Sequence, residues 1–241
     1  MKTKGKFNLS YRNIITVILI TIAAIVITVV GIAFKQKIIR MIPLYVSLIV
    51  GFLQSRASRY SYILGALNSV VYAGVYFSLG LYASMLNALL VSFPVQAATF
   101  VRWSKRSYKH STEFKKLSAN QWILVGSAFG ISYAALCFIM SAVGSSYMII
   151  DNTASLIGIL VSILTLFAFR EYSYLMLLTG VINIILNLRI SIDDPAMITY
   201  LMYSVYSMVC IVMQFFAVRK LYNEQKIKNE INVIGGSNEN N

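Results

Sequence analysis

Eight apolar stretches alternate with short polar gaps along the chain: Ile14–Phe34, Met41–Gln54, Tyr60–Leu79, Tyr82–Trp103, Gln121–Ala142, Tyr147–Phe169, Tyr172–Leu188 and Met197–Val218. A helix rises 1.5 Å per residue, so about 20 apolar residues are needed to cross a hydrocarbon layer roughly 30 Å thick. Six of the stretches reach that length, whereas Met41–Gln54 and Tyr172–Leu188 are shorter and are expected to tilt little, borrow flanking residues or not span fully. The pattern predicts an all-α polytopic membrane protein of eight transmembrane helices.

Composition agrees with that reading. Apolar side chains make up 58% of the 241 residues and charged ones 12%, with a mean hydropathy of +0.72. Soluble domains carry about twice that charged share. A net charge of +13 would suit a nucleic-acid partner, but the charges sit in the gaps rather than along one face, so none is expected.

The distribution of those charges orients the chain. Of 21 lysines and arginines, 17 fall in alternate gaps: the N-terminus up to Arg12, Arg56 and Arg59, the run from Arg102 to Lys116, Arg170, and Arg219 to Lys228. The positive-inside bias places these gaps and both termini in the cytoplasm, with the protein in the inner or plasma membrane. Lys35, Lys37 and Arg40, between the first two segments, are the exception. The first segment is longer than a signal-peptide core and no small-residue cleavage site follows it, so it reads as retained. Cys137 and Cys210 lie inside segments and imply no disulfide. The polar tail from Asn229 is expected to be disordered.

The chain repeats itself loosely. Arg59-Tyr60-Ser61-Tyr62 opens one segment and Glu171-Tyr172-Ser173-Tyr174 opens another 112 residues later; Phe100-Val101-Arg102 and Ala217-Val218-Arg219 close two others. Two like-oriented triplets need an odd helix between them, and Gln121–Ala142 supplies it. The expected organisation is a basic N-terminus (1–13), an extra N-terminal helix with its loop (14–40), a first three-helix repeat (41–103), a basic loop with a linker helix (104–142), a second repeat (143–220) and a disordered tail (221–241). Such 3+1+3 plans recur in transporters, SWEETs among them, where solutes bind between the halves near the membrane midplane.

Polar side chains inside a membrane are costly and usually face the bundle interior. Asn68, Tyr72 and Tyr76 share one helical stripe; Asp151, Ser155, Gly158 and Ser162 form a second; Thr179, Asn183 and Asn187 a third; Tyr203, Ser207, Cys210 and Gln214 a fourth. Asn87 and Gln96 lie on opposite faces of their segment, with a helix-disturbing Pro94 between them. Amides and phenols exchange neutral hydrogen bonds and aromatic faces stack on flat rings, which suits an uncharged or singly cationic heterocycle carrying hydroxyls. The competing reading is that these residues knit helices together.

Only Asp151 among the acidic residues falls inside a segment, and near its end, while His110 sits in a basic loop with a solvated role. Proton relays need intramembrane carboxylates or histidines, so passive, uncoupled transport is the simplest expectation. The sequence offers no phosphate loop, no metal-spaced ligand set and no nucleophile paired with a base, so neither an enzyme nor a cofactor is expected. The loop Arg102–Lys116 is expected to touch anionic lipid headgroups.

The run Gly65-Ala-Leu-Asn68-Ser-Val-Val-Tyr72, with Gly80-Leu81-Tyr82, Leu86-Asn87 and Trp103, resembles the Pnu family of bacterial vitamin transporters. The later run of Asp151, Arg170-Glu171, Asn183, Asp194 and Tyr203–Tyr206 is similar to it as well, so the likeness covers Met41 to Lys220. The resemblance implies facilitated diffusion of nicotinamide riboside or a related vitamin through a SWEET-like core that assembles as a homotrimer. Net uptake would follow from a cytoplasmic kinase that traps the solute. Nicotinamide riboside members of the family surround the ligand with a tryptophan pair and with glutamine and asparagine. Here the only tryptophans, Trp103 and Trp122, are near segment ends, and tyrosines fill Tyr172–Asn183. By position, Asn68, Gln96, Asn183 and Gln214 take the amide roles, and Tyr72, Tyr174, Tyr203 and Tyr206 the stacking roles. The absent pair leaves thiamine, riboflavin or a deoxynucleoside as alternative solutes. A non-transporting scaffold or receptor subunit is the rival of a different class, with the stripes buried as packing seams.

Overall fold

A computed structural model of the chain describes residues 11–36, 38–78, 88–143, 148–193, 195 and 198–238. Among these residues there are eight α-helices: α1 (Tyr11–Ala33), α2 (Ile38–Gln54), α3 (Tyr60–Ser78), α4 (Phe93–Lys105), α5 (Ala119–Val143), α6 (Met148–Leu166), α7 (Tyr172–Asp193) and α8 (Ile198–Asn238). The start of the fourth apolar segment, including Asn87, lies outside the described residues, as do the side chains of Tyr76, Asp151 and Ser155.

Six helices close a ring in the order α2, α3, α4, α6, α7, α8, with α8 returning to α2. The first three neighbours are consecutive in sequence, and so are the last three. Two seams, α4 against α6 and α8 against α2, join the triplets. Helix α1 lies in the groove between α2 and α8, and among the described residues α5 leans chiefly on α6.

The turns that end α2 and α6 are built alike. After α2, the Ser58 amide donates to Leu53 O at 3.1 Å and the Ala57 amide to Gln54 O at 2.7 Å. After α6, the Phe169 amide donates to Leu164 O and the Ala168 amide to Thr165 O, both at 2.9 Å. These are the paired bonds of a Schellman ending, and Ala57 (φ 51°) and Ala168 (φ 60°) take the left-handed position they require. The hydroxyls that follow also match: Ser61 Oγ donates to Ser58 O at 2.7 Å and Ser173 Oγ to Arg170 O at 2.8 Å.

Three features depart from the sequence reading. Helix α7 continues through Arg189 to Asp193, so Tyr172–Leu188 is not a short element: its 22 residues measure about 33 Å, whereas the 17 residues of α2 reach only about 26 Å. The tail is helical to Asn238 rather than disordered; its first turns are held by Leu221 and Gln225, buried against the loop that follows α4, whereas Lys226 to Ile231 are exposed. That loop contains a two-stranded hairpin, β1 (Ser107–Tyr108) paired with β2 (Ser111–Thr112), which a reading confined to helices passed over.

Pro94 explains the irregular entry to α4. It lacks an amide proton and its ring crowds the carbonyl one turn back. The chain widens into a π-helical turn over Ala88–Ser92 before regular helix begins at Phe93.

The hairpin clasps both turns at the basic end of the bundle. The Arg59 amide donates to His110 O at 3.1 Å, and the His110 Nε2 lies 2.9 Å from Arg56 O. Further on, the Lys115 amide donates to Ala168 O and the Arg170 amide to Lys115 O, both at 2.9 Å. Gln225 of α8 completes the clasp, its Nε2 donating to Thr112 O at 2.8 Å and its Oε1 accepting from the Phe114 amide at 2.9 Å.

The outer surface is apolar. Ile123 and Leu124 of α5 are 69% and 70% exposed, Phe138 80%, and Ile32 of α1 71%. Residues of this kind in such number are stable only against lipid or another apolar surface. Among the described residues, Tyr172–Arg189 and Ile198–Ile231 are individually long and apolar enough to cross a membrane. The 34 residues of the latter would measure about 51 Å, so its end beyond Val218 projects past a hydrocarbon layer about 30 Å thick.

Candidate functional site

Two polar clusters occupy the ring. The first centres on Ser47, where α2, α3 and α8 meet. A stripe of Pro43, Ser47 and Gly51 at four-residue spacing keeps that face of α2 narrow and lets its neighbours approach. Asn68 Nδ2 donates to Ser47 Oγ at 2.8 Å and to Pro43 O at 3.3 Å, and the Tyr72 hydroxyl lies 3.4 Å from the same Oγ. From α8, the buried Tyr206 donates its hydroxyl to Leu48 O at 2.7 Å across the seam between the triplets. The Tyr203 ring sits 6.5 Å from that of Tyr206. A Cβ at Gly51 would come within 3.2 Å of the Tyr206 ring, so this close crossing depends on glycine.

The second cluster lies toward the hairpin. Gln214, 1% exposed, donates from Nε2 to the Tyr172 hydroxyl at 3.0 Å. Tyr172 meets Trp103 with ring centroids 6.2 Å apart, and Tyr62 meets the same indole edge-on at 4.7 Å. Trp103 Nε1 donates to Thr165 O at 2.8 Å, which ties α4 to α6. Eleven residues of α8 separate Tyr203 from Gln214, about 16 Å along the helix axis. The clusters are therefore two stations along one axis rather than a single pocket.

Thus Asn68, Tyr72, Tyr203 and Tyr206 come together around Ser47, and Gln214 lies at the second station. Gln96 is elsewhere: its side chain covers Gly65 and its Nε2 donates to Ser69 Oγ at 3.0 Å, joining α4 to α3. Asn183 is partly buried on α7, one turn before Asn187, whose Nδ2 donates to Ser204 Oγ of α8 at 2.6 Å. Tyr174 stands apart. It is 45% exposed and packs edge-on against Phe215 at 5.1 Å. Residues two apart on a helix point about 200° from one another. The inward position at the start of α7 therefore belongs to Tyr172, and Tyr174 faces outward.

Most of these contacts are interhelical bonds of the kind a packing role predicts. Two atoms exceed that role. Asn68 Oδ1 and Gln214 Oε1 are buried without a hydrogen-bond partner among the described residues. A buried amide oxygen left unpaired costs about 1–3 kcal/mol, and packing between helices does not require it. One stands on each triplet, on α3 and α8. Ser47, Thr165 and the Tyr62–Trp103–Tyr172 group escaped the sequence reading, although the Pro43/Ser47/Gly51 spacing carried a signal for the first.

The arrangement lacks fixed charge. Every side chain named in the two clusters is a neutral amide, hydroxyl, phenol or indole. It can accept hydrogen bonds from hydroxyls or an amide, and it can stack a flat ring. Among the described side chains of the two clusters none is a counter-ion for a phosphate.

Comparison with known proteins places the fold. A family model described as nicotinamide mononucleotide transporter matches residues 37–217. The nicotinamide riboside transporter PnuC of Neisseria mucosa is 27% identical over 165 residues, a match covering 62% of this chain and 62% of that relative's length. The crystal structure of the vitamin B3 transporter PnuC superposes with a TM-score of 0.71 at 19% identity, covering 87% of this chain and 92% of that one. That last likeness establishes the shared fold.

Proposed function

The chain belongs to the nicotinamide mononucleotide transporter family, and from that premise we propose that it is a multi-pass membrane facilitator for nicotinamide riboside or a closely similar ring-bearing nucleoside. The observation that carries the proposal is the extent of the match: residues 37–217 contain α2 to the middle of α8, so every helix of the ring takes part. The family is one of transporters, not enzymes.

The family description names a mononucleotide and the Neisseria relative's name a riboside, which differ by a phosphate. The neutral clusters favour the riboside, because desolvating a phosphate dianion without a paired cation is prohibitive. The nicotinamide ring would stack among the tyrosines, and the ribose hydroxyls or the carboxamide would donate to Asn68 Oδ1 at the first station and, further along the path, to Gln214 Oε1 at the second. Asn183 and Gln96 are proposed as flanking amides, and the outward position of Tyr174 makes it the weakest member of the set.

Passage is uncoupled, with net uptake driven by intracellular phosphorylation of the solute. The matched turns after α2 and α6 support a SWEET-like 3+1+3 core of two repeats with α1 added. The charge bias supports a topology with the hairpin and both termini in the cytoplasm. The lipid-exposed flank of α5 is consistent with a trimeric assembly.

Uptake of radiolabelled nicotinamide riboside into proteoliposomes, with and without a proton gradient, tests the reading. Saturable flux indifferent to the gradient is expected. Its absence would remove the facilitator function, and gradient-driven accumulation would replace passive passage with coupled transport.

A further inference from the structure

A cavity of about 600 Å³ opens between the hairpin and the projecting end of α8, away from both polar clusters. Its volume falls in the range of small-molecule sites. Four lysines (Lys115, Lys116, Lys226 and Lys228) line it against two carboxylates, Glu113 and Glu230. Lys226 is partly matched by Glu230 at 3.6 Å. Lys115, Lys116 and Lys228 have no carboxylate within ion-pair distance among the described residues. Tyr108, Phe114 and Tyr222 add aromatic walls, and the Lys228 Nζ stands 5.9 Å from the Tyr108 ring centroid. Gln225, bonded to both Thr112 and Phe114, holds the two sides at a fixed separation.

Unpaired ammonium groups beside flat rings recognise a phosphate attached to an aromatic base. Depth decides between a lipid and a soluble source. Lys226 lies eight residues beyond Val218, about 12 Å along α8, whereas the headgroup layer on one side of a bilayer is only about 5–8 Å thick. Lipid phosphates would meet Arg219 and Lys220 before they reached the cavity. We propose that this cavity binds a soluble nucleoside monophosphate, through Lys115, Lys116 and Lys228 on the phosphate and Tyr108 on the base, the Tyr222 ring being already covered by the Arg170 guanidinium at 4.3 Å. Lys115 also bonds through its backbone to Ala168 and Arg170. A bound phosphate would thus rest on the segment that clasps the turn between α6 and α7. The site stands independently of the solute carried by the ring.

The test is direct binding of adenosine monophosphate to the purified full chain by calorimetry, with adenosine and inorganic phosphate as comparators. Saturable binding is expected, about tenfold tighter than for either comparator. Lys115→Gln/Lys228→Gln is expected to weaken it about tenfold with an unchanged melting temperature. Lys228→Gln alone, on an exposed helical face, gives a smaller loss and guards against misfolding of the double variant. Equal affinity for adenosine, or no effect of either variant on a folded protein, would overturn the proposal. So would loss of adenosine monophosphate binding in nanodiscs containing phosphatidylglycerol but not in those of phosphatidylcholine alone, which would assign the cavity to lipid.

Discussion

Gln214 spends its amide nitrogen on the Tyr172 hydroxyl, 3.0 Å away, and leaves its equally buried oxygen unmatched. The bond fixes the orientation of the amide, so the free oxygen is held in one direction. Gln214→Leu should weaken nicotinamide riboside binding by about 5- to 10-fold, the value of one neutral hydrogen bond. The ligand-free melting temperature should change little, since removal of the orphaned acceptor offsets loss of the bond to the Tyr172 hydroxyl. Unchanged affinity with raised stability would make Gln214 a packing residue only.

Tyr206→Phe removes the hydroxyl that bridges α8 to Leu48 O of α2. Interhelical hydrogen bonds in membrane bundles average about 0.6 kcal/mol, and a chain of this size loses about 2–4 °C per kcal/mol. A fall of about 1–3 °C in detergent is expected. Because the phenyl ring remains, affinity should change less than twofold, on the order of 0.4 kcal/mol.

Gly65→Ala places a methyl group where the Gln96 carbonyl oxygen now lies. The Gln96 side chain must swing away and abandon Ser69 Oγ. The single variant should lose about 0.5–1 kcal/mol, because the displaced atom is the end of a flexible side chain and what is lost is one interhelical hydrogen bond. Gly65→Ala/Gln96→Ala should recover part of that loss, and thermal melts of the full double-mutant cycle measure the coupling.

Gln225→Ala strands Thr112 O and the Phe114 amide at a buried position. A cost of about 1–3 kcal/mol should fall on the hairpin rather than on the ring. Limited proteolysis is the suitable measurement. Cleavage between Arg106 and Lys116 should accelerate while solute binding persists.

Acid should act on the same hairpin through Lys109 and Glu224. Their 2.7 Å bond holds the Glu224 carboxyl below its ordinary range and raises the Lys109 ammonium. A lowered carboxylate contributes stability at neutral pH and loses it only as pH falls through that lowered value. Lys109 is exposed and Glu224 partly so, so the effect should be small and should fade with salt. Glu224→Gln should abolish the acid-dependent part of hairpin cleavage, read by proteolysis across an acid series with an acid-stable protease.

Lipid writes long apolar runs into a sequence, which is why α1 to α3 and α5 to α8 were legible from hydropathy. Ends were harder to read. Arg189 and Asp193 look like loop residues, yet α7 holds them because polar residues at a helix end are costly only within the hydrocarbon layer. Two-residue strands have no periodicity to detect, so the hairpin was invisible. The four-residue stripes carried Asn68, Tyr72 and Tyr203, which do assemble, whereas Tyr206 entered only through the family resemblance. They could not say which neighbour each would meet. That depends on register between helices far apart in sequence, as with Gln96 on Ser69 and Tyr206 on Leu48. Tyr172 and Tyr174 were indistinguishable as residue types; only the rotation of α7 separates them.

No peptide bond crosses either join between the two triplets, and α5 lies outside the circle it links. Continuity of the polypeptide is therefore not what shuts the barrel-like enclosure. Each half carries its own share of the mating surface: Trp103 reaching for Thr165 on one side, Tyr206 for Leu48 on the other. Cut within α5 and synthesised as two fragments, the molecule should keep both joins, and co-purification of the pieces from one membrane would check it.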